Sequence, residues 1–207
     1  MAKPKSKTRE YIESLIIALV IAFFVRSFFI QAFKIPSSSM EPTLLIGDHL
    51  LVNRLKYVVK VPFTDMVIWD IGKPKRGEVV VFRYPVDTGK DFIKRVIATE
   101  GERVEIRDKT IYVNGKKIED PWACFSEKTI IPGFLSSKDN IPPVVVPKNS
   151  YFVMGDNRDK SLDSRFWGFV KKDLFVGKAL ILYFSWDSDS PDWSHRVRWD
   201  RIGKLIN

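Results

Sequence analysis

Thr110-Ile111-Tyr112-Val113-Asn114-Gly115-Lys116-Lys117-Ile118 reads as two short β runs joined by an Asn-Gly pair. Asn and Gly tolerate the positive φ angles of a type I′ turn, whose twist matches paired strands, so a two-residue hairpin is predicted. Working outward, runs at residues 50–52, 58–61, 78–84, 92–98, 103–107, 151–154 and 176–184 are bounded by Gly, Pro, Asp or Asn and also read as strands. Residues 119–147 differ: six prolines or glycines among mixed polar residues predict an irregular excursion or small subdomain. No amphipathic helix of ordinary length follows residue 33. The expected class is mainly β, an antiparallel domain over residues 34–207 behind one N-terminal transmembrane helix.

That helix is expected over residues 14–33, broken only by Arg26 and Gln31. Twenty helical residues span about 30 Å, enough to cross the hydrocarbon layer. Arg26 lies about two turns from the outer end, where its stem can snorkel to the headgroups. Lys3, Lys5, Lys7 and Arg9 precede the run and only Lys34 follows it closely, so residues 1–13 are expected in the cytoplasm and the rest outside. A cleaved signal peptide competes with an anchor here, since a basic region also precedes an apolar one in that case. Bulky Phe28, Phe29 and Phe33 at the end of a long run favour the anchor.

Of the 207 residues, 34 are Lys or Arg and 25 Asp or Glu, a net charge of +9. The surplus is diffuse, which suits an anionic membrane surface at least as well as nucleic acid. No zinc-finger spacing, Arg/Lys-rich helix or aromatic RNA-binding motif occurs, so nucleic acid is not an expected partner. Cys124 is the only cysteine and His49 and His195 stand alone, so no internal disulfide, metal or other cofactor is expected.

Three stretches carry candidate chemistry. In Ile35-Pro36-Ser37-Ser38-Ser39-Met40-Glu41-Pro42-Thr43-Leu44, two prolines hold three hydroxyls on rigid, non-helical backbone. That suits either a linker or the platform of a nucleophile. In the strand at 92–98, Phe92, Lys94, Val96 and Ala98 share a face. A lysine on an apolar face loses hydration and its pKa falls, and a neutral amine can take a proton from a serine hydroxyl. The opposite face holds Ile93, Arg95 and Ile97, so periodicity leaves open which face is inside. Residues 155–168, Gly-Asp-Asn-Arg-Asp-Lys-Ser-Leu-Asp-Ser-Arg-Phe-Trp-Gly, read either as a solvated loop or as a buttress. In the buttress reading, Asp163–Arg165 or Asp156–Arg158 pairs hold a serine against the lysine.

In this order behind an apolar run, Ser37–Asp48, Arg76–Pro85, Asp91–Ile97 and Gly155–Gly168 together resemble the bacterial type I signal peptidases. The resemblance extends from the anchor to about Phe184 and weakly through residues 197–203. It implies a membrane-bound serine endopeptidase with a Ser-Lys dyad and a β fold shared with LexA-type repressors. Such an enzyme removes signal peptides from preproteins at the outer side of the bacterial cytoplasmic membrane. By the resemblance, Ser39 is the nucleophile, Lys94 the general base, and Ser37 Oγ with the Ser39 N–H the oxyanion donors. Ser161 orients the Lys94 amine, while Asp163, Arg165, Asp156, Arg158 and Arg95 support it. Ile35, Pro36, Met40, Leu44, Phe92 and Ile93 line the pocket before the cut, and Phe33, Leu50 and Val81 the one two residues earlier. The expected partners are signal peptides, bound as an added strand between residues 33–37 and 91–93, and the lipid bilayer. Phe92 stands where many relatives carry Tyr, lone Cys124 cannot form the disulfide some relatives have, and one span replaces the two of others. A LexA-like self-processing protease, or an anchored β domain that only binds partners, are the competing classes.

Overall fold

The computed structural model describes residues 7–60 and 66–207. Among the described residues, one helix, α1 (Lys7–Phe28), precedes thirteen strands. They are β1 (Ile30–Lys34), β2 (Asp48–Asn53), β3 (Val58–Lys60), β4 (Val67–Asp70), β5 (Val79–Arg83), β6 (Asp91–Ala98), β7 (Arg103–Arg107), β8 (Thr110–Val113), β9 (Lys116–Lys117), β10 (Ile141–Val145), β11 (Ser150–Met154), β12 (Val170–Lys171) and β13 (Phe175–Ser185). A four-residue helix, α2 (Ser164–Trp167), lies between β11 and β12. A seven-stranded sheet runs in the order β1-β2-β13-β5-β6-β11-β12, a four-stranded one in the order β10-β7-β8-β9, and β3 pairs with β4. The paired strands are antiparallel.

Alternation explains where the core sits. Val79 and Val81 of β5 face one apolar cluster with Leu50, Val52, Ala179 and Leu182. Val80 and Phe82 face another with Val96, Tyr151, Val153 and Phe175. A strand buried on both faces needs continuous apolar sequence, and Val-Val-Val-Phe supplies it. The four-stranded sheet shows one buried face: Val104 and Ile106 are buried between Arg103, Glu105 and Arg107. The Asn114-Gly115 turn has φ of 52° and 77°, as the hairpin reading requires.

Two expectations are corrected. The apolar run at 14–33 is not one helix: α1 stops at Phe28 and Ile30–Lys34 enters the sheet, with Phe33 opposite Leu50. The apolar part of α1, residues 14–28, is therefore about 22 Å long at ~1.5 Å per residue. Among the described residues, no helix is long and apolar enough to cross a membrane. An apolar stretch suits lipid and a strand alike, and pairing with β2 decides in favour of the strand. Of the expected basic N-terminus, 1–13, residues 1–6 lie outside the described residues and 7–13 form the start of α1; Val61 at the end of the 58–61 run also lies outside them. Finally, the excursion at 119–147 ends in β10, which pairs with β7 despite Pro142 and Pro143. Proline lacks the ladder N–H, but β10 is an edge strand and its register shifts between Ile141 and Val144, which accommodates the pair.

Candidate active site

The turn that carries Ser39 is pinned at both ends by the core. The Ile35 N–H donates to the Asp48 carbonyl at 2.8 Å, and Met40 and Leu44 are fully buried. Between them Ser38–Met40 makes one 3-10 turn, which puts Ser39 at its middle and buries it to 8% exposure. Asp48 clamps the far side, accepting from Arg201 Nη2 at 2.6 Å, Ser185 Oγ at 2.6 Å and the Leu45 N–H at 2.8 Å. Burial pushes the Asp48 carboxyl up, but these hydrogen bonds hold it below its ordinary value.

Lys94 comes from the middle of the large sheet, opposite Val80 on β5 and one residue before the β6–β11 pair Arg95–Met154. It is 4% exposed, and its Nζ donates to Ser39 Oγ at 2.7 Å and lies 5.5 Å from the centre of the Phe92 ring. Burial lowers the lysine pKa to about 8; Asp163 and Asp156 pull it up and Arg165 presses it down. Both readings of β6 contained part of the answer, because Arg95 on the other face is buried as well.

Arg95 is paid for by a dense set of acceptors. Asp156 takes its Nε at 2.8 Å and Nη2 at 2.7 Å, while the Gly77 and Asn207 carbonyls take Nη1 at 2.6 and 2.7 Å. Its guanidinium lies 4.2 Å from the Trp122 ring, and Thr43 Oγ1 donates to the same carboxylate at 2.6 Å. The expected Asp156–Arg158 pair is thus not formed: Asp156 pairs with Arg95, and Arg158 pairs with Asp120. The nearer guanidinium in sequence is not the nearer one across the sheet.

Residues 155–168 form a buried buttress rather than a solvated loop. Asp163 accepts Arg165 Nε at 2.9 Å and Nη2 at 2.9 Å, and also the Gly155 N–H at 3.1 Å. Arg165 further donates to the Arg158 carbonyl at 2.6 Å and the Lys138 carbonyl at 2.8 Å, tying the excursion to the site. Gly155 permits the closest approach. A Cβ there would run into Ser161 Oγ and the Ser39 carbonyl.

One expected contact differs. Ser161 Oγ is buried without a hydrogen-bond partner, and the expected bond to Lys94 is not made; the amine donates to Ser39. Ser37 is exposed, with its Oγ 3.4 Å from Ser39 Oγ. The expected pocket residues also distribute differently from the two-pocket reading. Ile35, Met40, Leu44, Leu50 and Val81 belong to one buried cluster, with Phe33 and Ile93 packed against it. Pro36 is exposed, and Phe92 packs in the other cluster, its ring stacked on Tyr84 at 4.4 Å. Ile93 and Phe92 alternate on β6, so they cannot share a face. Sequence reasoning missed Thr43, Trp122, Gly155 and Asn157 as parts of this assembly. Thr43, Gly155 and Asn157 lie inside the stretches at 35–44 and 155–168, whereas Trp122 lies in neither and carried no local signal.

The model of the family described as signal peptidase, peptidase S26, matches residues 8–186. Signal peptidase I of Pseudomonas aeruginosa is 37% identical over 95% of this chain and 78% of its own length. That of Pseudomonas fluorescens is 35% identical over the same shares. A crystal structure of a signal peptidase I from Enterococcus faecalis, 33% identical, covers 53% of this chain and 98% of its own at a TM-score of 0.42.

Proposed function

The chain belongs to the signal peptidase family, peptidase S26, and we propose that it cuts signal peptides with Ser39 as nucleophile and Lys94 as general base. The observation that carries this reading is the 2.7 Å contact between a hydroxyl and an amine that is 4% exposed. With a pKa of about 8, roughly one amine in ten is neutral at pH 7, against roughly one in three thousand at lysine's ordinary value. In the neutral form the same contact reverses direction, with Nζ accepting the Ser39 proton.

Ser39 Oγ then attacks the scissile carbonyl and forms a tetrahedral intermediate. Its oxyanion takes hydrogen bonds from the Ser39 N–H and from Ser37 Oγ, which is exposed and free to turn toward it. The protonated Lys94 returns its proton to the departing amine and leaves an acyl-enzyme. Lys94, neutral again, activates the water that releases the acid. Asp163, Arg165, Asp156, Arg158 and Arg95 hold the elements that carry the pair. Ser161, with its unpartnered hydroxyl beside Gly155, is available to the amine when Ser39 is acylated. The substrate enters extended, pairing with residues 33–37 and 91–93, and its small side chains before the cut face Phe33 and Ile93, the partly exposed margin of the cluster of Ile35, Met40, Leu44, Leu50 and Val81.

α1 serves as the membrane attachment. Leu15, Ile16, Ile17, Leu19 and Val20 are each more than half exposed, which water does not favour. Because the apolar part of α1 is shorter than an ordinary hydrocarbon layer, this attachment requires the bilayer to thin locally around it. Lys3, Lys5, Lys7 and Arg9 keep the N-terminus in the cytoplasm, so the β domain works outside. The test is cleavage of a peptide whose signal part ends in Ala-x-Ala. Wild type cuts after the second Ala, and Ser39→Ala and Lys94→Ala each lose on the order of 10³-fold or more. Full activity in either variant contradicts the assignment.

A further inference from the structure

Asn157 takes no part in the chemistry above, yet it holds the nucleophile's backbone at two points. Its Nδ2–H donates to the Ser38 carbonyl at 3.2 Å and its own N–H donates to the Ser39 carbonyl at 3.2 Å. The residue is 5% exposed, and its Oδ1 is buried without a partner. Cys124 fixes it from the other side in a parallel bridge: the Cys124 N–H donates to the Asp156 carbonyl at 2.7 Å, and the Arg158 N–H to the Cys124 carbonyl at 2.9 Å. The Ser38 carbonyl also accepts the Glu41 N–H at 3.1 Å.

Among the described residues only Glu41–Pro42 is cis, so the Ser38–Ser39 peptide is trans. A trans peptide is planar and its N–H points opposite to its C=O. Pinning the Ser38 oxygen therefore sets the direction of the Ser39 N–H. Two hydrogen bonds accepted by that oxygen also polarise the peptide and strengthen its N–H as a donor. We propose that Asn157 is a positioning residue that aims and polarises the Ser39 N–H toward the oxyanion of the transition state. This rests on the reading of Ser39 as the nucleophile.

The effect belongs in kcat, because the oxyanion exists only after attack. The test compares Asn157→Ala and Asn157→Asp with wild type, Ser39→Ala and Lys94→Ala, all as the full chain in detergent micelles on the Ala-x-Ala peptide. Asn157→Ala keeps the backbone bond to Ser39 and loses the side-chain donor. Its kcat falls about 10-fold or more, less than the loss of a whole donor, while KM stays within about 2-fold. The apparent pKa of the rate does not move, since Lys94 is untouched. A peptide boronic acid, whose serine adduct carries a tetrahedral oxyanion, loses affinity in step with kcat/KM, whereas an uncleavable peptide binds as before. Asn157→Asp, of the same shape but without the donor, falls further, and it carries the test if Asn157→Ala does not unfold cooperatively. Unchanged kcat, a loss confined to KM, or retained boronate affinity overturns the inference. Activity surviving in Ser39→Ala or Lys94→Ala overturns the dyad and this inference together. Inert dyad variants beside a fully active Asn157→Ala overturn this inference alone.

Discussion

Replacing Lys94 by Met should make the protein more stable and inactive. Lys94 is 4% exposed, and burial takes its pKa from 10.5 to about 8. Below about 8 the folded state carries a charged amine that the unfolded chain holds in water, a penalty of about 3 kcal/mol at ~1.36 kcal/mol per pKa unit. Met fills similar volume without the charge, at the cost of the hydrogen bond to Ser39, about 1 kcal/mol. The net expectation at pH 7 is a gain of about 2 kcal/mol. The sign of the pH dependence follows. Between about 8 and 10.5 the unfolded chain still binds the proton that the folded one has released, so wild-type stability rises with pH and the variant's advantage shrinks. Urea unfolding of both proteins in the same micelles at pH 7 and pH 10 reads the difference. A variant less stable than wild type at pH 7, or a difference that does not change with pH, would refute the reasoning.

Gly155→Ala should fold but lose on the order of 10²-fold in kcat, because its Cβ displaces the Ser39 carbonyl and Ser161; a peptide assay at near-wild-type rate contradicts this. Asp156→Asn leaves the buried Arg95 guanidinium without its carboxylate and should destabilise by about 3–5 kcal/mol, measured by urea unfolding. The full chain should stay with membranes through alkaline carbonate washing, and release into the supernatant would remove α1 as an attachment.

How much was legible in the sequence depended on the range of each interaction. The Asn114-Gly115 turn, the alternation of Val104 and Ile106 and the apolar run of β5 are local, and each element forms where its pattern stands. The β1 strand was not legible, because Ile30 to Lys34 continues an apolar run and only its pairing with β2 distinguishes strand from helix. β10 hid behind Pro142 and Pro143, whose cost depends on lying at a sheet edge. At the site, Ser39 and Lys94 were found through the resemblance, since periodicity left the face of β6 undecided. The partners of Arg95 lie 61 residues away at Asp156 and 112 at Asn207, where no spacing rule reaches. The buried pair of Asp163 and Arg165 decides between the two readings that mixed charges left open, because the two satisfy one another and the backbone around them.

The central claim is that a desolvated amine takes the proton of Ser39, and the pH dependence of kcat/KM on the Ala-x-Ala peptide tests it most directly. The rate should rise with pH through an apparent pKa near the value of about 8 that burial gives Lys94, then level off. A rate that climbs only near lysine's ordinary value of roughly 10.4, or one flat across this range, contradicts it.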